Sequence, residues 1–506
     1  MSALRPVARF ERTVSDLINF LGVESASLSE SERNTIFTGI TADSREVQAG
    51  DLFVALAGST FHGASYIEEV RAAGAACVVS DEAGAALIGN RLPVVVIPTP
   101  ARWIGEIASW LYNAPFTGLD AVGITGTNGK TTTAALVGQL WEIANRECGV
   151  IGTVGIRIGR DELAASFTTP QPATLQTLVA VMRERHIKNL VMEVSSHAID
   201  QKRIGGARFV VAAFTNLTQD HLDYHQTMEN YFQAKSQLFT HEYTDLALIN
   251  IDDPYGARLA ESAQVQVETV SRSNKSAIWH YERIEQLEQR GQSLGYQVAI
   301  RGAGGILIEG RLPLLGEHNL DNALLAIAIA VTTGVDPLVI GAQMHRLMAP
   351  PGRLEPVVVG QNFVALVDYA HTPDAVAHAL ATARSLTTGK VIAVLGCGGD
   401  RDATKRPIMG DVLVAGSDVA IFTSDNPRSE NPDVIVQEML GSRVADDNLI
   451  VQSDRRGAIA IAVAEATPGD VVIVLGKGHE LGQEVNGVKL PFDDRIELAR
   501  AIEALA

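Results

Sequence analysis

The chain has 506 residues, of which 46% are apolar and 20% charged, with a formal net charge of −18 at neutral pH. At roughly 100–200 residues per domain the length points to about three domains, and the acidic balance excludes a nucleic-acid backbone or an anionic membrane as the main partner, because either requires a dominant basic surface. No stretch of about 18 uncharged apolar residues occurs, no basic segment leads into a long apolar one at the N-terminus, and Cys77, Cys148 and Cys397 lack metal-ligand spacing. A reduced, soluble, cytoplasmic protein is expected.

Residues 1–112 alternate short apolar runs with turn signals: Gly39–Arg45, Asp51–Leu56, Ala76–Ser80 and Pro93–Ile97. A helical pattern over Ala64–Ala73 lies between them, so a small α/β domain is predicted. Its polar clusters Asp43-Ser44-Arg45 and His62-Gly63 read, on their own, as a capping aspartate beside a solvated arginine.

Residues 113–349 open on Ala121-Val-Gly-Ile-Thr-Gly-Thr-Asn-Gly-Lys-Thr-Thr-Thr133. This is the pattern of a buried strand, a tight loop and the first turn of a helix. Gly126 and Gly129, flanking Thr127 and Asn128, lack the Cβ atoms that would hold a phosphate away, so the loop's backbone N–H groups can face its oxygens, with the helix dipole behind them. Lys130 can reach the β- and γ-phosphates of ATP, and Thr131, followed by Thr132, can offer a hydroxyl to Mg²⁺. The usual phosphate-loop glycine five residues before Gly129 is replaced by Ile124, so the loop is a variant. Apolar runs at Asn189–Val194, Phe209–Phe214 and Leu246–Asn250 predict a mostly parallel sheet buried on both faces, with ligands beyond the carboxyl ends of its strands.

Polar motifs follow those runs. Glu193-Val-Ser-Ser-His197 puts a carboxylate near the phosphate loop if the two strands are neighbours, where it could hold Mg²⁺ through a hard oxygen. Thr215–His225 is followed by a helical pattern over Met228–Leu238 that contains Lys235; from spacing alone, His221 and Lys235 are ordinary polar positions. Gly316-Glu-His-Asn-Leu-Asp-Asn322 opens an alanine-rich helix, and its asparagines can cap the helix or read an adenine edge.

After Pro350-Pro351-Gly352 the strand-then-helix pattern restarts. Residues 350–506 are predicted to form a doubly wound third domain, with strands at Val364–Asp368, Val391–Leu395, Val419–Thr423 and Val471–Leu475. Asp368-Tyr-Ala-His371, Gly396-Cys-Gly-Gly-Asp-Arg401, Asp425-Asn-Pro-Arg428 and Gly476-Lys-Gly-His-Glu480 all fall at strand ends. Arginine grips a carboxylate in a two-point fork and a carboxylate complements an ammonium group, so together these motifs suit a zwitterionic amino acid.

Taken in order, Gly126–Thr132, Thr168-Thr-Pro170, Glu193–His197, Asn216 with Asp220–Asp223 and Lys235, His318-Asn319 with Asn322, Asp368–Pro373, Asp425–Arg428 and Gly476–Glu480 resemble the motifs of the Mur ligases of peptidoglycan synthesis. The resemblance runs from about residue 40 to 495. It is greatest to the members that add the third peptide residue. It implies three α/β domains: a small first domain for a UDP-sugar, a central phosphate-loop ATPase domain with a mostly parallel sheet, and a Rossmann-like domain for the incoming amino acid. Ser44, Arg45 and His62 would lie near the nucleotide sugar, and Thr168, Thr169, Ser195, Gln201 and Arg203 near the muramoyl dipeptide. Lys130, Thr131, Glu193 and His221 would serve the ATP phosphates and Mg²⁺. The family carbamylates the lysine matching Lys235, which becomes a carboxylate on a long stem that can reach a second Mg²⁺. Asn319, Asn322 and Arg353 would contact the nucleotide, and Asp368 and His371 would lie where the third domain closes on ATP.

The implied activity is ATP-dependent amide formation between UDP-N-acetylmuramoyl-L-alanyl-D-glutamate and an amino acid, by a monomeric enzyme. Arg428, supported by Arg401, points to meso-2,6-diaminopimelate, whose second carboxylate lysine lacks; Asp425, Asn426, Gly476 and Glu480 would complete the amino-acid site. Three alternatives stay open: a lysine-adding member, a folylpolyglutamate synthetase, which shares the architecture and the modified lysine, and a nucleotide-binding switch needing only the phosphate loop.

Overall fold

A computed structural model describes residues 4–24, 28–58, 60–165, 167–289 and 292–505. The first domain is built on four parallel strands in sequence order, Gly39–Thr41, Asp51–Val54, Cys77–Ser80 and Val94–Val96. The expected helix at 64–73 divides: His62 accepts a hydrogen bond from the Ala64 amide and caps a tight turn over Gly63–Tyr66, and the α-helix proper is Ile67–Ala72. Ala173 and Ala180 of the helix Pro172–Glu184 enter the core of this domain, so the central domain docks on it through apolar packing.

Among the described residues the central sheet has eleven strands. In its parallel part the order is Cys148–Gly152, Asn189–Glu193, Asp120–Thr125, Val211–Phe214, Leu246–Asn250 and Gln266–Ser271. Two separate apolar clusters cover its faces, which is why these strands read as unbroken apolar runs. The run at 209–214 contributes a strand only from Val211, although the Phe209 and Val210 amides still donate to Tyr243 O and Ala121 O. Antiparallel strands Gly155–Ile158 and Asp161–Leu163 extend one end; at the other, Trp279–Gln289 adds in parallel to Gln266–Ser271 and then pairs antiparallel with Gln292–Arg301, which pairs antiparallel with Leu307–Leu312.

The third sheet runs Glu355–Pro356, Val364–Asp368, Val471–Leu475, Val391–Cys397, Val419–Ser424 and Leu449–Val451, all parallel except the first. Helices Pro373–Ser385, Lys405–Gly416 and Pro432–Leu440 cover one face; Arg455–Glu465 and Asp494–Glu503 cover the other. Insertion of the 471–475 strand between 364–368 and 391–397 creates a switch point, and the crevice beyond the carboxyl ends there is where a doubly wound fold receives a ligand. The three cysteines are unpaired and buried. Among the described residues no helix is long and apolar enough to cross a membrane.

Candidate active site

The phosphate loop leaves the middle of the central sheet, between the strands 189–193 and 211–214. Gly126 has φ 150° and Gly129 φ 85°. A Cβ on Gly126 would collide with Thr215 Oγ1 and one on Gly129 with Asn322 Oδ1, so both glycines are required by space as well as by backbone conformation. The loop is fastened from below: the Thr127 amide donates to Asn216 O (2.9 Å), the Asn128 amide to Asn216 Oδ1 (2.9 Å), and Thr215 Oγ1 to Asn128 O (2.6 Å). Lys130 opens the helix Lys130–Ile143 and folds its Nζ over the loop onto Gly126 O and Thr127 O, both 2.8 Å away. Burial draws its ammonium below the ordinary lysine value, against the pull of Glu193 and Asp220. Thr131 and Thr132 are buried in the first turn.

The strand bearing Glu193 neighbours the loop strand, with Glu193 opposite Ile124. Thr131 Oγ1 donates to Glu193 Oε1 at 2.9 Å, and the Thr153 amide donates to the same oxygen at 2.8 Å. Lys235, on the helix Met228–Ser236, is 1% exposed, lies over the Tyr231 ring and donates to Gly126 O at 2.7 Å. Two lysines therefore converge on one carbonyl. Burial, then the charge of Lys130, push the Lys235 amine well below its ordinary value. His221, in left-handed backbone conformation, meets His197 with ring planes near perpendicular and centroids 4.9 Å apart, and its amide donates to Asp220 Oδ1. Desolvation, outweighing Asp220, keeps its imidazole below the ordinary value.

Beside this centre Thr168 and Thr153 share a hydroxyl hydrogen bond of 3.1 Å, Thr169 Oγ1 donates to Glu193 O, and Ser195 caps the short helix Ser196–Asp200. Arg203 donates to Gln201 Oε1 and stacks on Phe167. Ser44, Arg45 and His62 lie apart from this centre in the first domain. Arg45 is exposed and held by Asp43, and His62 pairs with Asp81 at 3.1 Å.

Neither asparagine of 316–322 caps its helix. Glu317–Thr332 has Gly316 at its N-cap with no side-chain bond; Asn319 donates to Leu315 O, and Asn322 donates to Asn319 Oδ1 while accepting from Thr133. Asn322 thus backs the phosphate loop from the neighbouring helix. In the third domain Arg353 lies over the Tyr369 ring with its buried Nε unpartnered. Asp368 accepts from the amides of Leu354 (2.7 Å) and Ala370 (2.8 Å), and His371 Nδ1 pairs with Tyr369 O. Asp374, which the motif reading passed over, accepts from Asn128 Nδ2 at 3.1 Å and ties the third domain to the loop.

Between the two domains is a cavity of ≈ 550 Å³. Its central-domain wall includes Thr168, His197, Asp220 and His221; its other wall includes His371, Arg401, Lys405, Asp425, Asn426, Arg428, Gly476 and Glu480. Residues more than 250 positions apart in sequence thus face one space. Arg428 is 23% exposed at its side chain and donates to Gly399 O at 2.6 Å, with Glu484 3.6 Å from its Nε. Arg401 is more loosely held, by Asp400 O at 3.2 Å. Beneath the loop, Arg406 joins Glu430, Glu438 and Gly398 O. Sequence gave no sign of that support, because burial of a charge depends on tertiary neighbours.

Three profiles of one family match: "Mur ligase family, catalytic domain" over 36–112, "Mur ligase middle domain" over 124–330 and "Mur ligase, glutamate ligase domain" over 352–478. The chain belongs to the Mur ligase family. Within it, the chain is 44% identical over 506 residues to UDP-N-acetylmuramoyl-L-alanyl-D-glutamate–2,6-diaminopimelate ligase of Streptomyces coelicolor, covering 99% of this chain and 98% of that one. A solved structure of a ligase with that name matches with a TM-score of 0.68 at 31% identity, covering 98% of this chain and 99% of that one. Folylpolyglutamate synthase of Mycobacterium tuberculosis shares the fold at 20% identity, with a TM-score of 0.62 over 74% of this chain and 92% of its own.

Proposed function

We propose that the chain is an ATP-dependent amide ligase that joins meso-2,6-diaminopimelate to the D-glutamate side chain of UDP-N-acetylmuramoyl-L-alanyl-D-glutamate in the cytoplasm. Residues 1–112 hold the UDP end, 113–349 the ATP and 350–506 the amino acid. The observation that carries this reading is the single cavity in which the phosphate-loop domain faces both the Asp425–Arg428 and Gly476–Glu480 motifs. A switch protein has no use for such a second wall.

A carboxylate does not accept an amine at neutral pH, because oxide would have to leave. The dipeptide's γ-carboxylate oxygen therefore first bonds to the γ-phosphorus of ATP as ADP departs. Lys130 meets the charge gathered in that transfer, and Thr168, Thr169, Ser195, Gln201 and Arg203 orient the dipeptide. The amino acid's deprotonated amine then attacks the acyl carbon and phosphate leaves. The tie between Asn128 and Asp374 holds the domains closed over the acyl phosphate and keeps water out.

The donor set fits Mg²⁺. Thr131 Oγ1 and Glu193 Oε1 are adjacent hard oxygens, the donor type Mg²⁺ takes beside waters and phosphate oxygens. Bound there with His221, it would neutralise phosphate charge, and the carbamate of Lys235 would hold a second Mg²⁺. Burial and the neighbouring Lys130 both favour the uncharged Lys235 amine, the form that adds carbon dioxide with loss of a proton, and the carbamate so formed would be attracted to Lys130.

Arg428→Ala tests the assignment. Loss of a two-point, charge-assisted contact costs about 1.5–3 kcal/mol, so KM for diaminopimelate should rise about 10- to 100-fold with KM for ATP little changed. An equal rise in both would mean that Arg428 does not read the amino acid.

A further inference from the structure

Lys477 lies at the carboxyl end of the strand Val471–Leu475, inside the Gly476–Glu480 motif, and its side chain is 0% exposed. A buried ammonium needs acceptors for all three of its protons. Lys477 has three: Gly482 O at 2.7 Å, Asn426 Oδ1 at 3.0 Å and Glu480 Oε2 at 3.1 Å. Two of these belong to the cavity wall, and they are also bonded to each other, Asn426 Nδ2 donating to Glu480 Oε2 at 2.7 Å. The third begins the hairpin Gly482–Val485/Val488–Pro491, whose Glu484 amide returns to Asn426 Oδ1 at 2.9 Å and whose Glu484 carbonyl accepts from the Arg428 amide at 3.0 Å. One hidden cation thus joins the strand-end loop carrying Arg428, the Glu480 loop and the hairpin.

The geometry points to Lys477 as a positioning residue for the incoming amino acid. It does not face the cavity. It fixes Glu480 Oε2, which leaves Oε1 as the free oxygen, and it orients Asn426. Against the upward push of burial, its charge brings the Glu480 carboxyl below the ordinary range, keeping an anion ready for the substrate's ammonium group. This inference rests on the amino-acid site proposed above.

The test is Lys477→Met, compared with Glu480→Gln and the double variant in the full-length enzyme, with steady-state KM measured separately for diaminopimelate, ATP and the UDP-dipeptide. The expected result is a rise in KM for diaminopimelate of about tenfold or more, with the other two within about twofold, because the partly buried Glu480 carboxylate has lost its cationic partner and Asn426 one of its anchors. The double variant should be no worse than about the larger single effect, since the two residues act as one unit. Equal changes in all three constants, no change, or additive effects would overturn the assignment. Should Lys477→Met not fold, Lys477→Gln, which keeps a donor for Gly482 O without the charge, carries the same comparison. Failure of the wild-type enzyme to use diaminopimelate would instead refute the underlying reading.

Discussion

Replacing Gly129 with alanine probes the support of the phosphate loop. Gly129 has φ 85° and ψ −15°, a left-handed conformation that costs an L-residue about 1–2 kcal/mol. The new Cβ would also overlap Asn322 Oδ1 and lie 3.3 Å from Asn322 Cγ. Asn322 is buried and tied to both Asn319 and Thr133, so clearing the overlap breaks those bonds or shifts the loop, at about 1–3 kcal/mol for forced overpacking. The combined loss is about 2–5 kcal/mol. It should be divided between stability, read by urea unfolding, and ATP affinity, read by KM. Adding Asn322→Ala to Gly129→Ala should restore the steric part and leave the backbone strain. Wild-type stability together with wild-type KM in Gly129→Ala would show that the loop does not have this conformation and would refute the reasoning.

Lys235→Ala should lower turnover about 100-fold or more, the cost of removing one charge-stabilising group from such a centre. Partial rescue by a short carboxylic acid would support the carbamate, and full activity without additive would exclude it. The third domain should also be sensitive to acid. Burial raises the Asp470 and Asp493 carboxyls, but hydrogen bonds from the Lys390 and Thr467 amides and from Arg495 bring them below the ordinary value; Arg456 does the same for Glu497. Each group is more acidic folded than unfolded, so its contribution is complete above the ordinary carboxylate range and lost as pH falls through the folded value. The urea midpoint should therefore fall below about pH 4, and a constant or rising midpoint there would contradict these ties.

The parallel strands were legible because each is apolar on both faces: Ala121, Val122 and Ile124 are fully buried, and each large side chain so placed contributes about 1.5–3 kcal/mol. The loop glycines, Lys130 and the strand-end motifs were legible because their chemistry needs those residue types. The antiparallel strands at 279–312 were not anticipated, since their alternation is interrupted by register shifts at Tyr281/Arg283 and Gln286/Glu288. Asn322 was legible as a polar residue, but its packing against the loop depends on a helix almost 200 positions away in the chain. Lys477, Arg406 and Asp374 went unassigned for the same reason. Nothing in a lysine's neighbours along the chain reveals that it is buried among three acceptors.

The most direct test of the account is phosphate release by the wild-type enzyme with ATP and UDP-N-acetylmuramoyl-L-alanyl-D-glutamate, comparing meso-diaminopimelate with L-lysine and verifying the amide product by mass. Because lysine lacks the second carboxylate that Arg428 would grip, kcat/KM for diaminopimelate should exceed that for lysine by on the order of 100-fold or more. Equal kcat/KM for the two, or phosphate release without amide product, would contradict it.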